Sequence, residues 1–180
     1  MGTEFILSTS IHNTSKALSI IGFQAKEESY IDFKPLKKRE SPIIYVDRVA
    51  KEHAIQSPHQ NVLVIFKAVF VGRRLIMSPK NHDEISSILK LYSGRNHTIH
   101  TAIVLKKSDD TLMKRRTTTR VKVKPLSLED KKEFIASNEW VDKIGGYDTN
   151  GLFRSFIIKS VGSPFGVMPF YEVRNLMTTL

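Results

Sequence analysis

Ser8, Thr9 and Ser10 lie together where an apolar run, Phe5-Ile6-Leu7, gives way to a helical pattern. Hydroxyls and backbone N–H groups at such a junction can hold a phosphate, because the first turn of a helix leaves its amide donors unpaired. The same turn would serve equally as a plain helix cap. His53, four residues after Val49 on the apolar side of a helix, could line a cleft and exchange a proton near neutral pH, or be a partly buried structural histidine. Asp142 and Lys143 follow Trp140 in a glycine-rich turn, where they read as a phosphate-contacting pair or as a surface ion pair. His97 and His100 are three apart on a strand, so they point to opposite faces and should not chelate together. The chain has no cysteine, which removes disulfides, thiolate nucleophiles and sulfur-built zinc sites and fits the cytoplasm. No lysine-bearing, glycine-rich phosphate loop is present, so motor ATPase chemistry is excluded.

The elements that must position these residues follow from hydrophobic period and punctuation. Phe5-Ile6-Leu7 reads as a short strand, and Ala17, Leu18, Ile20 and Ile21 as a helix closed by Gly22. Residues 24–41, polar around Pro35, read as loop. A second helix begins near Pro42, carries Ile43, Val46, Val49, Ala50 and Ala54 on one face, and stops at Ser57-Pro58. Val62-Leu63-Val64-Ile65-Phe66 has the continuous apolar character of a strand buried on both faces, and is placed at the sheet centre. A helix over 84–92 stops at Ser93-Gly94, and Ile99–Leu105 follows as a strand. Thr117–Lys124 alternates as an edge strand would, after a Ser108-Asp109-Asp110 turn. Ser127 caps a helix ending near Ser137. A strand over Phe153–Val161 and a helix from Tyr171 complete the chain.

At 180 residues with 41% apolar content, the sequence suits one compact domain, and no apolar run reaches the roughly 20 residues of a membrane span. Net charge is +10, so anions should be attracted. The excess is local: Lys106–Lys124 holds eight basic side chains against Asp109 and Asp110. Because no aromatic interleaves them, this segment reads as a solvated hairpin, and nucleic-acid binding is not expected.

Three segments together resemble the Maf family, the nucleoside triphosphate pyrophosphatases once linked to septum formation. Glu40-Ser41-Pro42-Ile43-Ile44-Tyr45-Val46-Asp47-Arg48-Val49-Ala50-Lys51-Glu52-His53-Ala54 resembles E-x-P-x-x-Y-V-x-R-L-A-x-x-K-A. The run from Ser93 to Thr101 resembles S-G-R-x-H-x-V-x-T, and that from Ser137 to Gly151 is similar to S-G-E-P-x-D-K-A-G-A-Y-x-I-Q-G. They occur in family order and spacing, so residues 1–180 read as a single Maf-like domain. The resemblance implies an α/β fold of ITPase-like type, a long mixed β-sheet flanked by helices with a deep cleft. It also implies hydrolysis of nucleoside triphosphates to monophosphate and pyrophosphate with a divalent cation, Mg2+ or Mn2+. Free nucleotides would be the substrates in the cytoplasm, with no membrane, and a homodimer would be in keeping with the family.

The resemblance also assigns positions, and many of them are substituted. Against the family's V-I-G-A-D-T, the chain reads Val64-Ile65-Phe66-Lys67-Ala68-Val69, placing Ala68 at the catalytic aspartate and Val69 at a specificity residue. The helix lysine becomes His53, and the lysine of G-K-P becomes Ser78. The S-x-S-P-R-R turn becomes Ser8-Thr9-Ser10-Ile11-His12-Asn13, without either arginine. Asp32 stands for one carboxylate of an acidic pair, as the metal ligand, while Phe33 replaces the glutamate, and Asn150 replaces the glutamine. Ala68, Lys67, His53 and Ser78 thus carry the catalytic positions. Ser8, Ser10, His12, Val69, Asp142, Lys143 and Asn150 carry the substrate-binding ones. Lys67 could restore some cationic charge and His53 could act as a base, but neither offers a carboxylate to a metal. The expected function is a pyrophosphatase with impaired catalysis, the alternative being an inactive relative that binds nucleotide or a protein partner.

Overall fold

The computed structural model describes residues 5–11, 14–20, 22, 24–162 and 170–177. Its strands are β1 (Phe5–Thr9), β2 (Ala25–Tyr30), β3 (Val62–Val71), β4 (Arg74–Ile76), β5 (Asn96–Lys106), β6 (Leu112–Val123) and β7 (Ile157–Gly162). They form one sheet in the order β2-β1-β3-β5-β6-β7, with β4 paired to β3. β1 runs parallel to both β2 and β3, whereas β4 on β3 and β7 on β6 are antiparallel. The helices are α1 (Thr14–Ile20), α2 (Pro42–Gln56), α3 (His82–Tyr92), α4 (Leu128–Ala136) and α5 (Phe170–Met177). The expected α/β class, a long mixed sheet flanked by helices, is what forms. The chain divides into two compact units, Met1–Lys67 with Thr101–Thr117 and Met168–Leu180, and Ala68–His100 with Thr118–Val167.

In the first unit, β3 is the interior strand expected of its apolar run, with Val62 to Phe66 wholly buried. Residues 24–41 are not all loop, because β2 pairs with β1. Its Lys26, Glu27 and Glu28 are exposed at the sheet margin, so the strand lacks an apolar signature. α2 starts as expected, with the Ile44 N–H donating to the Ser41 hydroxyl at 3.3 Å and Pro42 in the first turn. Its buried face is Tyr45, Val46, Val49, Ala50 and Ala54. Ile43, expected there, is 37% exposed, because it sits in the first turn at the border of the stripe. Lys106, expected in a solvated hairpin, is 7% exposed at the end of β5, and its ammonium donates to the Ser57 carbonyl at 2.7 Å.

The family-like helix motif holds the segment before it. The Glu40 carboxylate accepts from Arg48 Nε at 2.6 Å and Nη2 at 2.9 Å, and from the Lys37 N–H at 3.0 Å. Arg48 also donates to the Pro35 carbonyl, and the Tyr45 hydroxyl to that of Lys34 at 2.8 Å. The guanidinium lowers the Glu40 pKa, while burial pushes that of Tyr45 up to about 12.

In the second unit, Asn81 caps α3 and Ser127 caps α4, the latter in a reciprocal box with Asp130. β6, expected at an edge, has β7 beside it. It reads as an edge because only Thr117, Thr119, Val121 and Val123 are buried, leaving one wet face. The strand expected over Phe153–Val161 begins only at Ile157, since Leu152–Phe156 coils as a 3-10 turn. Glu139 causes this: its carboxylate accepts the N–H groups of Leu152 and Phe153. β4 was hidden by its three-residue length. The core here is aromatic, Tyr147 stacking on Phe153 at 4.1 Å and His97 on Tyr92 at 4.3 Å.

Candidate active site

Six of the expected positions fall in the first unit, five of them among the described residues. Ser8, buried in β1, and His53, in the last turn of α2, do come together, lining a cavity of about 300 Å3 with Glu28, Gln56, Ser57, Pro58 and His59. Burial, helped by the charge of Lys34, lowers the His53 pKa, so its imidazole is neutral and able to accept a proton at pH 7. His59 Nε2 lies 2.6 Å from the Glu28 carboxylate. The sequence gives no sign of either residue, because the Ser57-Pro58 stop makes the next few positions look like a plain turn and Glu28 sits in a polar run.

Ser10 and Lys67 also meet, through the backbone. The Lys67 N–H donates to the Ser10 hydroxyl at 2.8 Å, and that hydroxyl donates to the Lys67 carbonyl at 3.4 Å. The Ser10 hydroxyl therefore stitches β1 to β3. The Thr9 hydroxyl closes the turn after β1, accepting the Ile11 N–H at 3.0 Å. Asp32 is exposed, and Phe33 sets its ring edge-on to Phe66 with centroids 5.2 Å apart. An aromatic contact thus stands at the position the resemblance gives to a second carboxylate. His12 lies outside the described residues.

The remaining positions fall in the second unit. Ala68 is fully buried, and Val69 packs so closely on the turn after Lys143 that a Cβ at Gly145 would lie 2.8 Å from its Cγ2. Gly145 also has φ 75, a left-handed backbone that favours glycine. Ser78 lines a cavity of about 410 Å3 with Asp83 and Ser87 of α3. Asp142 is exposed at φ 57, and among the described residues no ion pair joins it to Lys143. Asn150 is exposed, its N–H donating to Asp148 at 3.0 Å. His97 and His100 do not come together: His97 Nε2 meets the Tyr147 hydroxyl and His100 that of Thr118.

A divalent metal does not fit this donor set. At positions that the resemblance gives to carboxylates, Ala68 of the second unit offers a methyl group and Phe33 of the first a ring. Among the described residues, no group of three His, Asp or Glu side chains could hold a metal ion.

Residues 12–180 match the family described as Maf-like protein, and the chain belongs to the Maf family. It is 34% identical to a dTTP/UTP pyrophosphatase of Zymomonas mobilis, over 98% of this chain and 91% of that one. It is 31% identical to a nucleoside triphosphate pyrophosphatase of Neorickettsia sennetsu, over 100% of this chain and 90% of that one. Among solved structures it is similar to a nucleoside-triphosphatase, dITP/XTP pyrophosphatase, from Mycobacterium abscessus. That likeness has 9% identity and a TM-score of 0.41, over 69% of this chain and 74% of that one. No helix among the described residues is long and apolar enough to cross a membrane.

Proposed function

We propose that the protein is a nucleoside triphosphate pyrophosphatase of Maf descent whose hydrolytic rate is much reduced. The reaction consumes one water and releases nucleoside monophosphate and pyrophosphate. The observation that carries the reading is similarity over essentially the whole chain to proteins named for this activity. Pyrimidine triphosphates, dTTP and UTP, are the first substrates to try, on free cytoplasmic nucleotides. The reduction follows from the buried methyl of Ala68, which can neither take a proton from water nor bind a cation. For scale, removing one oxyanion-hole donor costs about 2.7–4 kcal/mol, or roughly a hundredfold or more in rate. Neutral His53 shares a cavity with Ser8 in the first unit and is a candidate proton acceptor there.

Pyrophosphate release from dTTP, UTP and the other triphosphates, with Mg2+ or Mn2+, tests this. Turnover at least a hundredfold below that of a relative bearing the aspartate is expected, and a rate equal to such a relative's overturns it. The second reading, a binding protein without turnover, is favoured by the same Ala68 together with Phe33. It requires calorimetric binding of dTTP with no product above background.

A further inference from the structure

The last strand described in the second unit has an outer margin with no role in the proposed hydrolysis. β7 pairs with β6 alone among the described residues, from Thr119 opposite Gly162 to Val123 opposite Ile157. An antiparallel strand paired on one side leaves alternate N–H and C=O groups directed away from the sheet, ready for another strand. The strand is wet along its length, and two apolar side chains stand out on it, Ile158 at 61% and Val161 at 55% exposure. It is also held firmly. A Cβ on Gly162 would come within 2.1 Å of the Thr118 carbonyl, so only glycine lets the two backbones approach there.

The charge on this ribbon is one-sided. Register places Arg120 opposite Val161 and Lys122 opposite Lys159, so these four share a face. Arg120, Lys159 and nearby Arg154 are exposed and have no acidic partner among the described residues. No acidic residue occurs between Thr118 and Leu128 or between Thr149 and Gly162. Phe153 and Phe156, the neighbouring aromatics, are buried, so no ring is offered to stack on a base. Unpaired backbone, exposed aliphatic side chains and unopposed cations fit a polypeptide better than a nucleic acid.

We infer that the outer edge of β7 takes up an extended acidic polypeptide segment as an added strand, its carboxylates meeting Lys159 on one face within the field of Arg120 one strand further in, and its aliphatic side chains meeting Ile158 on the other. The test titrates the purified full-length chain into a fluorescein-labelled eight-residue peptide alternating glutamate with valine, followed by anisotropy. Saturable binding is expected, with no binding of the lysine–valine counterpart. Arg120→Glu with Lys159→Glu should weaken it at least tenfold with an unchanged thermal melt, since both side chains are exposed. Methylating alternate peptide amides removes the donors a strand must offer and should abolish binding without altering the protein. Absence of saturable binding overturns the inference, as does binding indifferent to amide methylation. Equal or tighter engagement of the same two residues by a single-stranded oligonucleotide or an anionic vesicle also overturns it.

Discussion

Ala68 and Phe33 set a methyl group and a phenyl ring where the family resemblance asks for carboxylates, and each is accommodated in its own surroundings. Phe33 gains an edge-on contact with Phe66, and Ala68 is wholly enclosed in β3. Returning a carboxylate is therefore costly. Ala68→Asp should lower stability by about 3 kcal/mol, because the new group is buried without a prepared partner. Combined with Ser78→Lys, it should raise pyrophosphate release at least tenfold, read by denaturant unfolding and product assay together. His97 is a different case, a motif residue spent on the core. Burial depresses its pKa to about 3, against 6.5 for an ordinary histidine. Between those values the unfolded chain binds the additional proton, so stability falls as pH drops, by up to about 1.4 kcal/mol per pH unit. His97→Phe should flatten that limb relative to the wild type in unfolding curves taken from pH 7 to pH 4. It should also cost about 2 kcal/mol at pH 7, where the Tyr147 hydroxyl loses its partner.

At the level of elements, the motif from Ser137 to Gly151 works as a brace. Glu139 accepts the first N–H groups of the Leu152–Phe156 turn, and a Cβ on Gly151 would fall 2.2 Å from that carboxylate. Gly151→Ala should cost about 2 kcal/mol by displacing Glu139, and Glu139→Ala about 1.5 kcal/mol by leaving the amides unpaired. The double substitution should cost less than the sum, since the collision vanishes with the carboxylate, and a double-mutant cycle measures the difference. Helices with a side-chain cap and an apolar stripe, α2, α3 and α4, lie where punctuation puts them. β2 escaped notice because it is charged and marginal, β4 because it is three residues long, and the 3-10 turn because a distant carboxylate overrides local strand preference. In the candidate site, Ser8 and His53 were each named through the family resemblance, while their shared cavity is a tertiary feature. Their cavity companions Glu28 and His59 were not named, since only tertiary pairing of β1 with β2 and the path after α2 bring them in.

For the molecule as a whole, a net charge of +10 should draw triphosphates from a distance and make their capture sensitive to salt. Apparent affinity for dTTP, measured calorimetrically, should fall several-fold between 50 mM and 300 mM NaCl. Not every cation contributes equally to that attraction. Lys106 keeps its ammonium against the Ser57 carbonyl at the end of α2, where a positive charge suits the helix terminus. Reagents that acylate or reductively methylate amines need an unprotonated, reachable nitrogen. When such a reagent is titrated against the folded chain, this side chain should be among the last to be tagged. Its sudden labelling would then report, peptide by peptide in a mass spectrum, the moment the start of the loop after α2 lets go.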